Sequence, residues 1–266
     1  MWLITTRMLR PVPIRENKQA WEDWGRVDPL WAVLTEPSAR GNRWNIEEFF
    51  ASGASVVAAV FADAAKHGLP AERLTAIDFG CGVGRLTRAL AGHVEHVVGL
   101  DIAQSMVDEA KRLNAGVDRC EFRVQHTDDL RAFADGSVDV VLTLLVLQHI
   151  PAMTAIERYL AEFVRVLAPG GLLAFQLPTH IPAPAPPSLR ARLRPRTRAA
   201  AALRRLGVSP RWLHRRLGWS PAMPMTAIPS DRVAQIIDAA GGTIVASHQT
   251  APDHGGVESR YYYVTC

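Results

Sequence analysis

With 266 residues, 48% of them hydrophobic, the chain suffices for one large domain with a sizeable core. Its three cysteines, Cys81, Cys120 and Cys266, are too few and too scattered for a disulfide framework or a zinc site, which points to a reducing cytoplasm. The formal net charge of +4 is unevenly spread: ten arginines and no acid lie between Ile181 and Ser230, so the remainder is net acidic.

The opening stretch MWLITTRMLRP is interrupted by Arg7 and Arg10 and has no small-residue cleavage site, so it reads as a flexible or docking arm. No run reaches the roughly 18 apolar residues of a membrane span. Residues 16–44 then hold Trp21, Trp24, Trp31 and Trp44 among the breaks Asp28-Pro29, Glu36-Pro37 and Gly41-Asn42. This pattern predicts a small helical flap whose indoles bury against the body, or close over a ligand and offer their faces to a sulfonium or a sugar ring. Asn45, with Glu48 three residues on, signals the capping box of a helix that stops at Gly68 and Pro70.

The stretch Leu74–Leu90, LTAIDFGCGVGRLTRAL, organises the rest of the chain. Strand-forming residues lead to Asp78, then Gly80, Gly82 and Gly84 alternate and an amphipathic run begins, which is a strand, tight turn and helix in series. Such a turn lets a ligand approach the backbone, and free N–H groups at the helix start favour an anion. A dinucleotide fingerprint would require its third glycine at 85, where the chain has Arg85. Val97–Leu100 predicts a second strand closed by Asp101, about 20 residues past the glycines, where a carboxylate can accept ribose hydroxyls. After a helix, AQSMVDEAKRL, the third strand Cys120–Val124 leads to His126, Thr127, Asp128 and Asp129. Val138–Leu147, apolar almost throughout, predicts a fourth strand buried on both faces and ending in Gln148-His149-Ile150-Pro151. The helix MTAIERYLAEFVRVL, Pro169-Gly170-Gly171 and a fifth strand, LLAFQL, come next. Residues 181–229 read as a Pro-rich spacer and short helices with Arg faces. Ser230 then caps a last helix before two strands, Thr243–Ser247 and Ser259–Val264. The alternation of strand and helix implies right-handed crossovers and a parallel sheet.

Asp78-x-Gly80-x-Gly82-x-Gly84, the later Asp101 and the phrase LAPGG before strand five resemble the class I S-adenosylmethionine-dependent methyltransferases over residues 45–180 and 229–266. The resemblance implies an α/β fold: a Rossmann-like, doubly wound seven-stranded sheet with a terminal antiparallel strand. To it are added an N-terminal arm and flap, 1–44, and an Arg/Pro-rich lid insertion, 181–229, within a domain of residues 45–266. It also implies S-adenosyl-L-methionine as cofactor, bound by Asp78, Gly80, Gly82, Gly84 and Asp101, with Ile102, Thr127, Asp128 and Leu144 as further contacts and Arg43 paired with the methionine carboxylate. The acid that many relatives use for the adenine amino group is missing after strand three, where His126 stands.

Ligands in an open parallel sheet bind beyond the C-terminal strand ends, and His149, His180 and His254 fall at such places, the last with Asp253 and Glu258 nearby. Methyl transfer to a hydroxyl needs alignment and removal of a proton, a task imidazole suits near neutral pH. His149 is the first candidate for that base, with His254 and Glu258 as alternatives. No metal site is predicted, although His and carboxylate ligands on the last loop leave a divalent ion open. QHIP matches neither the Asn/Asp-Pro-Pro-aromatic run of exocyclic-amine DNA methyltransferases nor the Pro-Cys of cytosine C5 enzymes. Small-molecule O-methylation is therefore favoured, with a saccharide-like or anionic acceptor. RNA binding or modification through the arginine lid and a non-catalytic cofactor-binding subunit are the alternatives; a homodimer is left open.

Overall fold

The computed structural model describes residues 14–182, 195–221, 223–253 and 256–266. The expected arm before residue 14 and residues 183–194 and 222 of the basic insertion lie outside the described residues.

Seven strands, β1 (Thr75–Phe79), β2 (His96–Asp101), β3 (Cys120–Val124), β4 (Val138–Thr143), β5 (Leu167–His180), β6 (Thr243–Gln249) and β7 (Glu258–Thr265), form one sheet in the order β3-β2-β1-β4-β5-β7-β6. The first five are parallel, and β7 runs antiparallel to both β5 and β6. The period of two along each strand divides the core. Ala76, Val97, Val140, Leu142, Leu172 and Ala174 face helices α3 (Ile46–Ala65) and α4 (Arg85–Leu90), whereas Ile77, Val98, Val141, Leu173 and Phe175 face the opposite layer. That layer is built on α6 (Met153–Val166) and α9 (Ser230–Ala239), and truncating its fully buried Phe163 to Ala should cost about 3–5 kcal/mol. Strand order reverses between β1 and β4, which opens a crevice at their C-terminal ends.

Four local expectations are corrected. The fourth strand ends at Thr143, not Leu147: Leu145 adopts φ 63°, and a 3-10 turn spans Leu147–His149. Its apolar run continues because the turn is itself packed into the core, so hydrophobicity there marks burial and not strand. Asn45 caps α3 by accepting from the Glu47 and Glu48 amides at 2.9 and 3.1 Å, with no return bond from the Glu48 side chain among the described residues. Ser230 is the first helical residue of α9, with Pro229 in the cap position. Over its length α3 is also apolar enough for a membrane span, contrary to the expectation from sequence, but Phe49, Val57, Val60 and Phe61 bury one face of it against the body.

The tryptophan-rich segment folds as α1 (Ile14–Val27) and α2 (Pro29–Val33), with Trp24 buried against Trp31. Asp28, fully buried, accepts from the amides of Gly41 and Asn42 at 2.6 and 3.1 Å and so fixes the exit turn. Glu22 receives the Gln104 amide at 2.7 Å and thereby caps α5 (Gln104–Leu113), whose own cap residue, Ala103, has no side-chain acceptor. Of the basic insertion, α8 (Pro210–Leu217) lies against α1 and α7 (Pro195–Arg205) against α8. Arg204 grips the buried Asp23 with two bonds of 2.7 and 2.8 Å, and Arg211 Nε donates to the Arg26 carbonyl at 2.6 Å.

Candidate active site

Asp78 sits near the end of β1, and the backbone turns at Gly80, Gly82 and Gly84, all with positive φ. The turn is stitched to the end of β2: Gly80 and Cys81 amides donate to the Leu100 carbonyl at 2.7 and 2.9 Å, and Gly82 donates to Asp101 Oδ2 at 2.9 Å. Glycine is required twice by close approach. A Cβ at Gly80 would lie 2.3 Å from Val146 Cγ1, and one at Gly82 2.3 Å from Val33 Cγ2 of the N-terminal segment.

Two carboxylates flank this turn. Burial pushes Asp78 up to about 6, opposed by the Thr87 hydroxyl donating at 2.6 Å and by the Arg85 guanidinium. Asp101 is likewise raised to about 6 by burial, opposed by the amides of Ala103 and Gly82. Each Asp101 oxygen already accepts one amide and keeps a second lone pair for a hydroxyl.

A cavity of about 650 Å³ opens over the turn. Asp78, Gly80, Gly82, Asp101, Ile102, Thr127, Asp128 and Leu144 all line it, together with His149. The remaining candidates stand elsewhere. Gly84 caps α4 from behind, packed on Asn114 and Phe122. Arg43 is exposed because the turn fastened to Asp28 folds it back onto the Arg40 carbonyl, 2.7 Å from its Nε. Glu258 opens β7 on the antiparallel half of the sheet, opposite His180, and accepts from Gln249 at 3.0 Å. It does not line the cavity, and His254 lies outside the described residues. Among the described residues, no three His, Cys, Asp or Glu side chains gather as metal ligands.

His149 is held on every side. Its Nδ1 lies 3.0 Å from the Pro224 carbonyl, which can only accept, so Nδ1 carries the proton and Nε2 presents its lone pair, 3.2 Å from Gln148 Nε2. The Trp21 ring meets it edge-on with centroids 5.2 Å apart, and Asn17 Nδ2 donates to its backbone carbonyl at 2.8 Å. Burial lowers its pKa, so the ring is neutral at pH 7.

The cavity also contains residues that no sequence motif singles out. Arg85, in sequence only the residue that breaks a dinucleotide fingerprint, is 4% exposed and lines the cavity, with Nη1 3.3 Å from the Ser52 hydroxyl and a buried Nε without a hydrogen-bond partner. Asn17 and Lys18 join Trp21 on the lining face of α1. Their spacing of one and four residues from 17 is the signal the sequence offers for them, and the neighbouring indoles mask it.

Residues 77–175 match the family model described as a methyltransferase domain. A ubiquinone biosynthesis O-methyltransferase of Xanthomonas euvesicatoria pv. vesicatoria is 37% identical over 109 residues, 40% of this chain and 44% of that protein. A similar enzyme of Xanthomonas campestris pv. campestris is 36% identical over 122 residues, 45% of this chain and 48% of that protein. The chain thus spans under half the length of these curated relatives. Among solved structures, magnesium protoporphyrin IX methyltransferase from Synechocystis PCC 6803 with bound S-adenosylhomocysteine superposes with a TM-score of 0.56 at 21% identity, covering 94% of this chain and 99% of that one. The sheet order agrees with the fold of that solved structure, and residues 77–175, which include the glycine turn, are what the matched model identifies as a methyltransferase domain.

Proposed function

We propose that the protein methylates a hydroxyl of a small-molecule acceptor, with His149 Nε2 as the base that removes its proton. The observation that carries this reading is the Pro224 carbonyl at His149 Nδ1, which leaves the ring's lone pair on Nε2 of a histidine that lines the cavity. The residues present suit S-adenosylmethionine: side-chain-free backbone at Gly80 and Gly82, two carboxylates, and a buried guanidinium nitrogen without a partner. Asp101 would take the ribose hydroxyls, Ile102 and Leu144 would border the adenine with Thr127 and Asp128 at its edge, and Asp78 would complement the methionine ammonium. Arg85, in place of Arg43, would meet the methionine carboxylate. When bound, the cofactor supplies an electrophilic methyl group on a sulfonium sulfur.

The chain's own residues then orient the acceptor and accept its proton. Trp21, Ile150 and Pro151 give the cavity an apolar wall beside His149, which favours a hydroxylated acceptor with an apolar face over a freely solvated sugar. Lys18, which has no ion-pair partner among the described residues, suits an acceptor bearing an anionic group. The names of the curated relatives support transfer to oxygen. Residues 223–229 brace the turn of His149 from the basic insertion: the Thr226 amide donates to the Gln148 carbonyl at 2.7 Å and its hydroxyl to the Ile150 carbonyl at 3.1 Å.

The test is methyl-labelled cofactor offered with panels of phenolic, carboxylated phenolic and saccharide acceptors, the products being resolved by mass spectrometry. A methyl ether formed on a phenolic acid supports the reading; methylation of nitrogen alone, or of no hydroxyl, overturns it.

A further inference from the structure

Five large hydrophobic side chains are exposed among the described residues, and two of them, Leu206 at 81% and Trp212 at 48%, lie on the basic segment. Within α8, Leu213 is fully buried and turns the helix onto the body, while Trp212, Arg215 and Arg216 are exposed at spacings of three and four residues and share the outer face. Arg205 stands exposed next to Leu206, at the Gly207 turn that joins α7 to α8. Arg204 and Arg211 are engaged with α1, through Asp23 and the Arg26 carbonyl, whereas Arg205, Arg215 and Arg216 have no ion-pair partner among the described residues. The sequence from 181 to 230 contains no acid to offset them.

We propose that this face docks on the surface of an anionic lipid bilayer. The pattern combines two requirements that such a surface meets together: negative charge at the headgroups and an apolar layer just beneath. Arginines gain from the anionic surface potential, tryptophan favours the headgroup level, and a leucine that projects from a turn is relieved of its contact with water. A nucleic acid would complement the arginines and could stack on Trp212, but offers Leu206 no apolar environment. The placement links the surface to the site, because α7 and α8 hold α1 through Asp23 and Arg26, and α1 lines the cavity with Asn17, Lys18 and Trp21. Docking therefore sets the bilayer one helix away from the cavity. It goes beyond the proposed methyl transfer and stands or falls without it.

The experiment is co-sedimentation of the full chain with vesicles of phosphatidylcholine alone and of phosphatidylcholine mixed with phosphatidylglycerol, beside fluorescence anisotropy with a single-stranded RNA oligomer. Binding to the mixed vesicles alone is expected, weakening with salt. Arg215→Ser with Arg216→Ser should weaken it on the order of tenfold or more. Leu206→Ser with Trp212→Ser should leave only loose adsorption that salt removes, while S-adenosylmethionine affinity by calorimetry stays unchanged in both variants and shows them folded. No binding to the mixed vesicles, equal binding to neutral vesicles, or RNA binding that is tighter than vesicle binding and is lost with the same arginines would overturn the proposal.

Discussion

Asn17 Nδ2 donates to the backbone carbonyl of His149 across 2.8 Å and 132 residues of sequence. The bond fastens the N-terminal helix to the turn that carries the proposed base, and the segment returning from the basic insertion fastens the same turn from the other side through Thr226 and Pro224. The base is therefore positioned by two segments that flank the sheet domain. Asn17→Ala should cost about 1 kcal/mol of stability and slow methyl transfer several-fold at unchanged cofactor affinity, as stopped assays and calorimetry would show. Transfer at the full rate would mean that the turn holds itself.

His149→Ala should leave cofactor affinity nearly intact and reduce the transfer rate by about 10²–10⁴-fold. Because burial depresses the pKa of His149, the rate of the unaltered enzyme should rise with pH along a titration whose midpoint lies below the usual histidine value of about 6.5. The unfolded chain binds the histidine proton more readily than the folded one, so this residue's stability contribution also falls as pH drops through the same range. A rate that keeps rising well above pH 7 would identify a different base.

Asp78 and Asp101, both pushed up to about 6, titrate in the opposite sense. Their folded forms hold protons more tightly than the unfolded chain, so their contribution to stability is complete below about 3.8 and is lost as pH rises through about 6. An ammonium and ribose hydroxyls favour the ionised carboxylates, so cofactor binding at pH 6 should release protons. Titrations in buffers of different ionisation enthalpy would report that release, and buffer-independent heats would refute it.

Gly82→Ala places a methyl 2.3 Å from Val33 Cγ2 at φ 54°. Cofactor affinity should fall and the fold should lose about 1–2 kcal/mol from the left-handed backbone alone. Adding Val33→Ala should recover part of the affinity without the backbone cost, which separates the steric contribution from the conformational one.

Arg204→Ala leaves the 2%-exposed Asp23 with only Gln19 at 3.1 Å and a distant Arg26, and should cost about 2 kcal/mol in urea unfolding. Arg204→Lys should restore only part, because an ammonium cannot reproduce the two-pronged grip.

The parts legible in the sequence are those governed by local chemistry. The glycine turn, Asp78, Asp101 and the strand alternation can be read directly, because close approach and burial on both faces leave few residue types to choose from. Long-range contacts decide the rest. Nothing near Arg43 in sequence indicates that Asp28 folds its turn away from the cavity, and nothing near Arg85 indicates that it is buried beside Asp78 with a nitrogen to spare. Glu258 has suitable chemistry and stands at a strand end, but on the half of the sheet away from the strand reversal. The partner of His149 Nδ1 comes from Pro224, 75 residues away, in a segment readable only as basic and proline-rich.

Every role proposed for the cavity requires that this chain bind S-adenosylmethionine at the glycine turn, and isothermal titration calorimetry with the cofactor and S-adenosylhomocysteine measures that binding without recourse to an acceptor. Saturable binding of both at one site is predicted, with Asp101→Ala weakening each by roughly tenfold or more through loss of charge-assisted bonds worth about 1.5–3 kcal/mol. Absence of heat with either ligand, affinity indifferent to Asp101→Ala, or tight binding of NAD in their place would contradict it.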